Sequence, residues 1–212
     1  MMHDKLHKNK VILMYGRFSE KIDGIPIIDI PLCNPSNEGN WMGWTKKELE
    51  KKNYEVYAPQ ITKVWEAPYS EWKKVIDEIG VDENTTLVGL SAGGAAVTRY
   101  ISEGKMEIKK LVLIAPARYS EGDGDPSPTS DEFYDFEISD SVRKQIKNGT
   151  TIFYDTADPV VKPIHVQMYK EQLNAKVVLV KGCGHFSFLI PTFPPLLNEI
   201  LANNDKENYP KW

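Results

Sequence analysis

Short apolar runs alternate along this chain with longer segments whose apolar positions recur every three or four residues. Residues 10–15, Lys-Val-Ile-Leu-Met-Tyr, read as a buried strand closed by Gly16, and residues 54–58, 85–90, 110–114, 150–154 and 177–180 read the same way. Helical spacing predicts a helix over 41–52, with Trp41, Trp44 and Leu49 apolar, and another over 70–79, with Trp72, Val75, Ile76 and Ile79. Further helices are expected from Ala92 to about Glu103, over 141–148 up to Gly149, over 164–173 and over 196–202. Strands and helices in this alternation predict one α/β domain spanning 1–212. It is a three-layer α/β/α sandwich around a mostly parallel sheet of about six strands. Residues 1–9 and 203–212 are polar and read as frayed tails.

Two stretches interrupt the alternation. Residues 17–40 form a long connection in which 18–22 and 25–30 flank Asp23-Gly24, the signature of a small hairpin. Residues 116–139 form a lid-like insertion rich in Gly, Pro, Ser and acid. Its part from 121 to 129 reads as a solvated loop, and Phe133, Tyr134 and Phe136 read as the covering element.

Composition narrows the function classes. Hydrophobic content of 41% and charged content of 26% are ordinary for a globular chain. A net charge of −4 provides no basic footprint, which argues against nucleic acid as a partner. Apolar runs are strand-length, too short to span a membrane. No apolar leader precedes Lys10, and the two cysteines, Cys33 and Cys183, suit free thiols in a reducing compartment; the cytoplasm is the expected location.

The chemistry concentrates at Gly89-Leu-Ser-Ala-Gly93, a G-x-S-x-G match lying between a predicted strand and a predicted helix. In that setting a serine occupies a sharp turn that exposes its hydroxyl above the sheet edge, and the helix start aims N–H groups at developing negative charge. A nucleophile at Ser91 requires a base and an orienting carboxylate from later strand ends, in the order serine, acid, histidine. Of the four histidines, His3 and His7 lie in the polar N-terminus and His165 begins a helix. His185 alone follows a strand, in Gly182-Cys-Gly-His-Phe186. Asp155 and Asp158 both follow the strand before it. Asp158 is favoured as the acid because Pro159 biases it towards an extended loop conformation, and Asp155 reads as capping or ordering the turn. The Ala92 and Arg17 N–H groups are the candidate oxyanion donors, Arg17 lying just past Gly16 at the end of the first strand. Gly16, Phe18, Trp41 and Phe186 are candidate pocket residues, although aromatics at helical spacing are more often core. The Arg17 side chain suits either pairing with an acidic substrate group or solvation, and Cys183 reads as packing.

Gly89-Leu-Ser-Ala-Gly-Gly94, Asp158-Pro159 and Gly182-Cys-Gly-His-Phe186 resemble the α/β-hydrolase superfamily. Trp41-Met-Gly-Trp-Thr-Lys-Lys-Glu-Leu-Glu50 makes the chain similar to small single-domain serine hydrolases of the retinoblastoma-binding protein nine type. The resemblance runs from about Lys10 to Ala202. It implies Ser91 as nucleophile, Asp158 as acid and His185 as base, in a fold lacking the antiparallel strands that open larger relatives. The first strand is followed by Tyr15-Gly16-Arg17-Phe18, where such proteins usually carry a Gly-rich or His-Gly loop. The expected activity is hydrolysis of a small carboxylic ester, with amides and thioesters as related substrates, without metal or cofactor. The expected partner is a small acyl substrate, and no protein partner is indicated. A binding module on a hydrolase scaffold and an acyltransferase are the alternatives.

Overall fold

The computed structural model describes residues 8–122, 125–129 and 131–202. Six strands form the central sheet: β1 (Lys10–Met14), β4 (Glu55–Tyr57), β5 (Thr85–Leu90), β6 (Lys110–Ile114), β9 (Thr150–Asp155) and β10 (Lys176–Val180). All neighbours pair in parallel, in the order β10-β9-β6-β5-β1-β4. Four of them read as continuous apolar runs because they are covered on both faces: every residue of β5, β6 and β9, and Val11 to Met14 of β1, is buried. On one face α1 (Trp41–Glu50) packs with α6 (Pro194–Leu201). On the other, α2 (Tyr69–Ile79), α3 (Ala92–Glu103), α4 (Asp140–Gln145) and α5 (Pro163–Leu173) follow one another in contact. This is the expected three-layer α/β/α sandwich.

The chain leaves β1 in one direction to form β4 and returns to the other side of β1 to form β5. The carboxyl ends of β1 and β5 therefore flank the point where strand order reverses, the crevice where sheets of this class bind ligands. Asn40 starts the helix that follows the long connection; its side chain accepts from Met42 N and Gly43 N.

Several local expectations shift for tertiary reasons. The hairpin is only β2 (Lys21–Ile22) paired with β3 (Ile25–Pro26), turned by Asp23 and Gly24, both left-handed at φ 50° and 79°. Beyond Pro26 the backbone coils into two 3-10 turns, 27–29 and 31–33. The helix expected over 141–148 stops at Gln145, because Ile146 extends to bridge Ile108 and Lys147 N donates to Ile108 O. In the 116–139 insertion the expected solvated loop contains a paired ribbon, β7 (Ser120–Gly122) with β8 (Asp125–Thr129). Its aromatics pack inward. Phe133 and Phe136 are buried, and Phe133 wedges against Tyr69 and Trp72 of α2. Asn9 is docked rather than frayed, its carbonyl accepting from Glu55 N. Residues 1–7 and 203–212 lie outside the described residues.

At the amino edge of the sheet, opposite the crevice, Lys110 donates to the Glu199 carboxylate, which also accepts from Thr151 Oγ1 at 2.8 Å. This buried pair ties α6 to β6 and β9.

Candidate active site

Ser91 joins β5 to α3 with φ 53° and ψ −121°, a conformation that strains any residue with a Cβ. Its neighbours enforce it. Ser91 N donates to Ile114 O at 2.9 Å, and Ser91 O accepts from Gly94 N and Ala117 N. The flanking glycines are a steric requirement of this turn. A Cβ on Gly89 would stand 2.5 Å from Gly93 O, and one on Gly93 would stand 2.5 Å from the carbonyl oxygens of both Met14 and Tyr15. The Ser91 hydroxyl does not cap its own helix. Gly16, just past β1, lies directly over it: a Cβ there would be 2.8 Å from Ser91 Cβ and 3.3 Å from Oγ.

Past β9, the Asp158 side chain is wholly buried and its Oδ2 lies 2.8 Å from His185 Nδ1. Its Oδ1 accepts from Val160 N (2.8 Å) and Val161 N (3.0 Å), so the carboxylate is held on both oxygens. The His185 ring keeps 20% of its surface exposed. The loop carrying it begins at β10, the sheet edge, yet Phe188 packs on Phe18 (4.9 Å between centroids) and Tyr15 (6.3 Å) beyond β1. With the strand order β10-β9-β6-β5-β1, that loop must cross the carboxyl ends of β9, β6 and β5. His185 is therefore carried over the edge on which Ser91 stands.

Other side chains hold this loop down, and sequence reading missed their part. Asp155 is buried at the end of β9, and its Oδ2 accepts from Cys183 N (2.8 Å) and Gly184 N (2.9 Å). The Ala157 N–H, then those of Gly184 and Cys183, hold its carboxyl below the ordinary aspartate value despite burial. Tyr15 is buried, with its hydroxyl donating to Ile61 O and accepting from Ile61 N. Burial pushes this phenol up to about 12, so it stays a neutral hydrogen-bonding group.

Three sequence expectations need correction. Trp41 is fully buried against Phe193, and its Nε1 donates to Phe186 O at 2.9 Å. Phe186 is likewise buried, packed on Phe193 with φ 53°. Both brace the histidine loop from beneath instead of lining an open pocket. The Arg17 guanidinium is engaged within the protein instead of standing free in solvent. It donates to Asp131 Oδ2 (2.8 Å) and Ala67 O (3.0 Å) and lies over the Phe133 ring. Phe18 is half-buried, stacked on Tyr15. Cys33 and Cys183 are both free thiols.

With this geometry in hand, comparison with known proteins is decisive on one point. The sequence model described as "Serine hydrolase" matches residues 27–189. The chain belongs to the serine hydrolase family. Solved structures share its fold across nearly its whole length. The ydeN gene product from B. subtilis is 16% identical with a TM-score of 0.72, covering 91% of this chain and 97% of that one. Naproxen esterase (carboxylesterase NP) from Bacillus subtilis is 12% identical at a TM-score of 0.57, over 92% and 82% of the two chains. The monoacylglycerol lipase of Paleococcus ferrophilus is 18% identical at 0.53, over 90% and 93%. The likeness is one of fold: this serine hydrolase shares with these structures its mostly parallel six-stranded sheet flanked by helices. Among its described residues no helix is long and apolar enough to cross a membrane.

Proposed function

We propose that this serine hydrolase cleaves small carboxylic esters through a catalytic triad of Ser91, His185 and Asp158. The observation that carries the reading is the 2.8 Å contact of His185 Nδ1 with a buried, doubly anchored Asp158, in a loop that crosses the edge bearing Ser91. Asp158 stays ionised and accepts a hydrogen bond from the Nδ1–H, which holds the tautomer that leaves Nε2 of the imidazole as the base for the Ser91 hydroxyl. The serine oxygen attacks the acyl carbon, the alcohol departs with the proton returned by His185, and water repeats the sequence to release the acid. Ala92 N–H, the first of α3 and without an intrahelical acceptor, is one oxyanion donor; Arg17 N–H, next to Gly16, is the other. Loss of one such donor typically costs about 3 kcal/mol of transition-state stabilisation.

Two fold neighbours named as an esterase and a lipase favour an ester as substrate. The mutual packing of Tyr15, Phe18 and Phe188 beside Gly16 favours a small acyl group. The reading places the protein with a small-molecule acyl partner in the cytoplasm. A fluorophosphonate probe tests it: the parent is labelled, and Ser91→Ala is not while melting at nearly the parental temperature. An unlabelled parent removes the triad and leaves a binding module on a hydrolase scaffold.

A further inference from the structure

The loop Gly182-Cys-Gly-His185 wraps consecutive backbone N–H groups around one buried carboxylate, and that carboxylate is not Asp158. Asp155 Oδ2 accepts from Cys183 N and Gly184 N, while its Oδ1 accepts from Ala157 N at 2.9 Å. Gly182 and Gly184 are left-handed, at φ 77° and 50°. Successive N–H groups turned inward by such residues form a concave anion-binding nest. The two glycines are thus the conformational requirement for enclosing Asp155. Of the two segments this carboxylate joins, one ends at Asp158, a residue beyond Ala157, and the other at His185, a residue beyond Gly184.

From this we infer that Asp155 is a positioning residue, an anionic clasp that sets the separation and orientation of Asp158 and His185. The inference rests on the triad reading above. Asp155 sits in the last residue of β9, inside the sheet, so it transmits the rigidity of the parallel ladder to two loops that have no ladder of their own. Its three acceptor bonds are charge-assisted, and the buried position excludes competing water. Protonating or neutralising the carboxyl removes the common anchor. His185 and Asp158 then keep their mutual contact only as far as the separate loops allow. A misplacement on the order of 1 Å in such a constellation costs about a hundredfold in rate.

Asp155→Asn is the direct test, since the amide matches the carboxylate in shape but turns an N–H donor against one of the backbone donors. With p-nitrophenyl acetate, kcat should fall about ten- to a hundredfold with KM changed less than about twofold. The His185 Nδ1 proton should lose its downfield, exchange-protected NMR resonance or shift markedly. Asp155→Glu, which restores the charge, should recover part of kcat. A folded Asp155→Asn protein with parental kcat and an unmoved His185 resonance overturns the inference, because a merely structural residue would lower the melting temperature and nothing else. Should Asp155→Asn not fold, hydrogen exchange on the parent decides: Cys183 and Gly184 amides are protected well beyond other exposed loop amides, and unprotected ones refute the clasp. The NMR and exchange readouts stand even if the parent proves unreactive to fluorophosphonate, so failure of the clasp and failure of the triad are distinguishable.

Discussion

Replacing Gly16 by alanine probes a close approach between the end of the first strand and the serine turn. A Cβ at this position lies 2.8 Å from Ser91 Cβ and 3.2 Å from Leu90 O, whereas ordinary contact begins at 3.4 Å. Something must yield by about 0.6 Å, and the colliding atoms belong to Ser91 and the β5 backbone, which are pinned to Ile114 and Ala117. Overpacking of this kind costs about 1–3 kcal/mol. Gly16 is not among the glycines with positive φ, so alanine recovers roughly 0.4–1 kcal/mol through the unfolded chain. Net destabilisation should be small, about 1–2 kcal/mol. Catalysis should suffer far more, because the displacement falls on the nucleophile and on the neighbouring Arg17 N–H; a tenfold to hundredfold loss of kcat is expected. Gly24→Ala is the control. Its Cβ meets nothing within 4 Å, but φ is +79°, so it should cost on the order of 1 kcal/mol and leave kcat alone. The assay is p-nitrophenyl acetate turnover with fluorophosphonate labelling rates, alongside thermal melts. Parental kcat and labelling in Gly16→Ala would refute the argument that Gly16 marks the reactive serine.

Two further substitutions test the strain and the amino-edge anchor. Ser91→Gly removes the Cβ from φ 53°, so it should melt above Ser91→Ala by an amount equivalent to about 1 kcal/mol, with equal melting temperatures counting against strain at the turn. For Glu199→Gln, the sign follows from its carboxyl: burial pushes it up, but Lys110, Thr151 and Lys176 outweigh this and hold it below the ordinary value of 4.5. The stabilisation is therefore complete above that value and lost as pH falls through the depressed folded one. At neutral pH the variant leaves Lys110 buried without a charged partner, costing about 3–5 kcal/mol and on the order of 10 °C in melting temperature. The gap between parent and variant should close in acid, and a gap of constant size into strong acid would contradict it.

What the sequence determined by itself was everything set by short-range pattern. The four inner strands were legible because strands covered on both faces read as mostly apolar runs, the edge strands β4 and β10 because they are short and rich in Val and Tyr, and each long helix because one face repeats at helical spacing. Gly89-Leu-Ser-Ala-Gly93, Asp158-Pro159 and the glycine-flanked His185 were legible because backbone geometry at these points admits few residue types. Tertiary structure alone decided what each side chain meets. Trp41 hydrogen-bonds a carbonyl 145 residues away, Arg17 is claimed by Asp131 at 114 residues' distance, and Phe188 reaches Phe18 only because the strand order sends its loop across the sheet. The helix ending at Gln145 stops where Ile146 finds Ile108. Asp155 is the sharpest case. From its position it read as ordering a turn, and only the approach of the Cys183 and Gly184 amides makes it the link between two loops. Periodicity records whether a residue prefers burial; which partner it is buried against depends on the order in which strands assemble, and that order is a property of the whole chain.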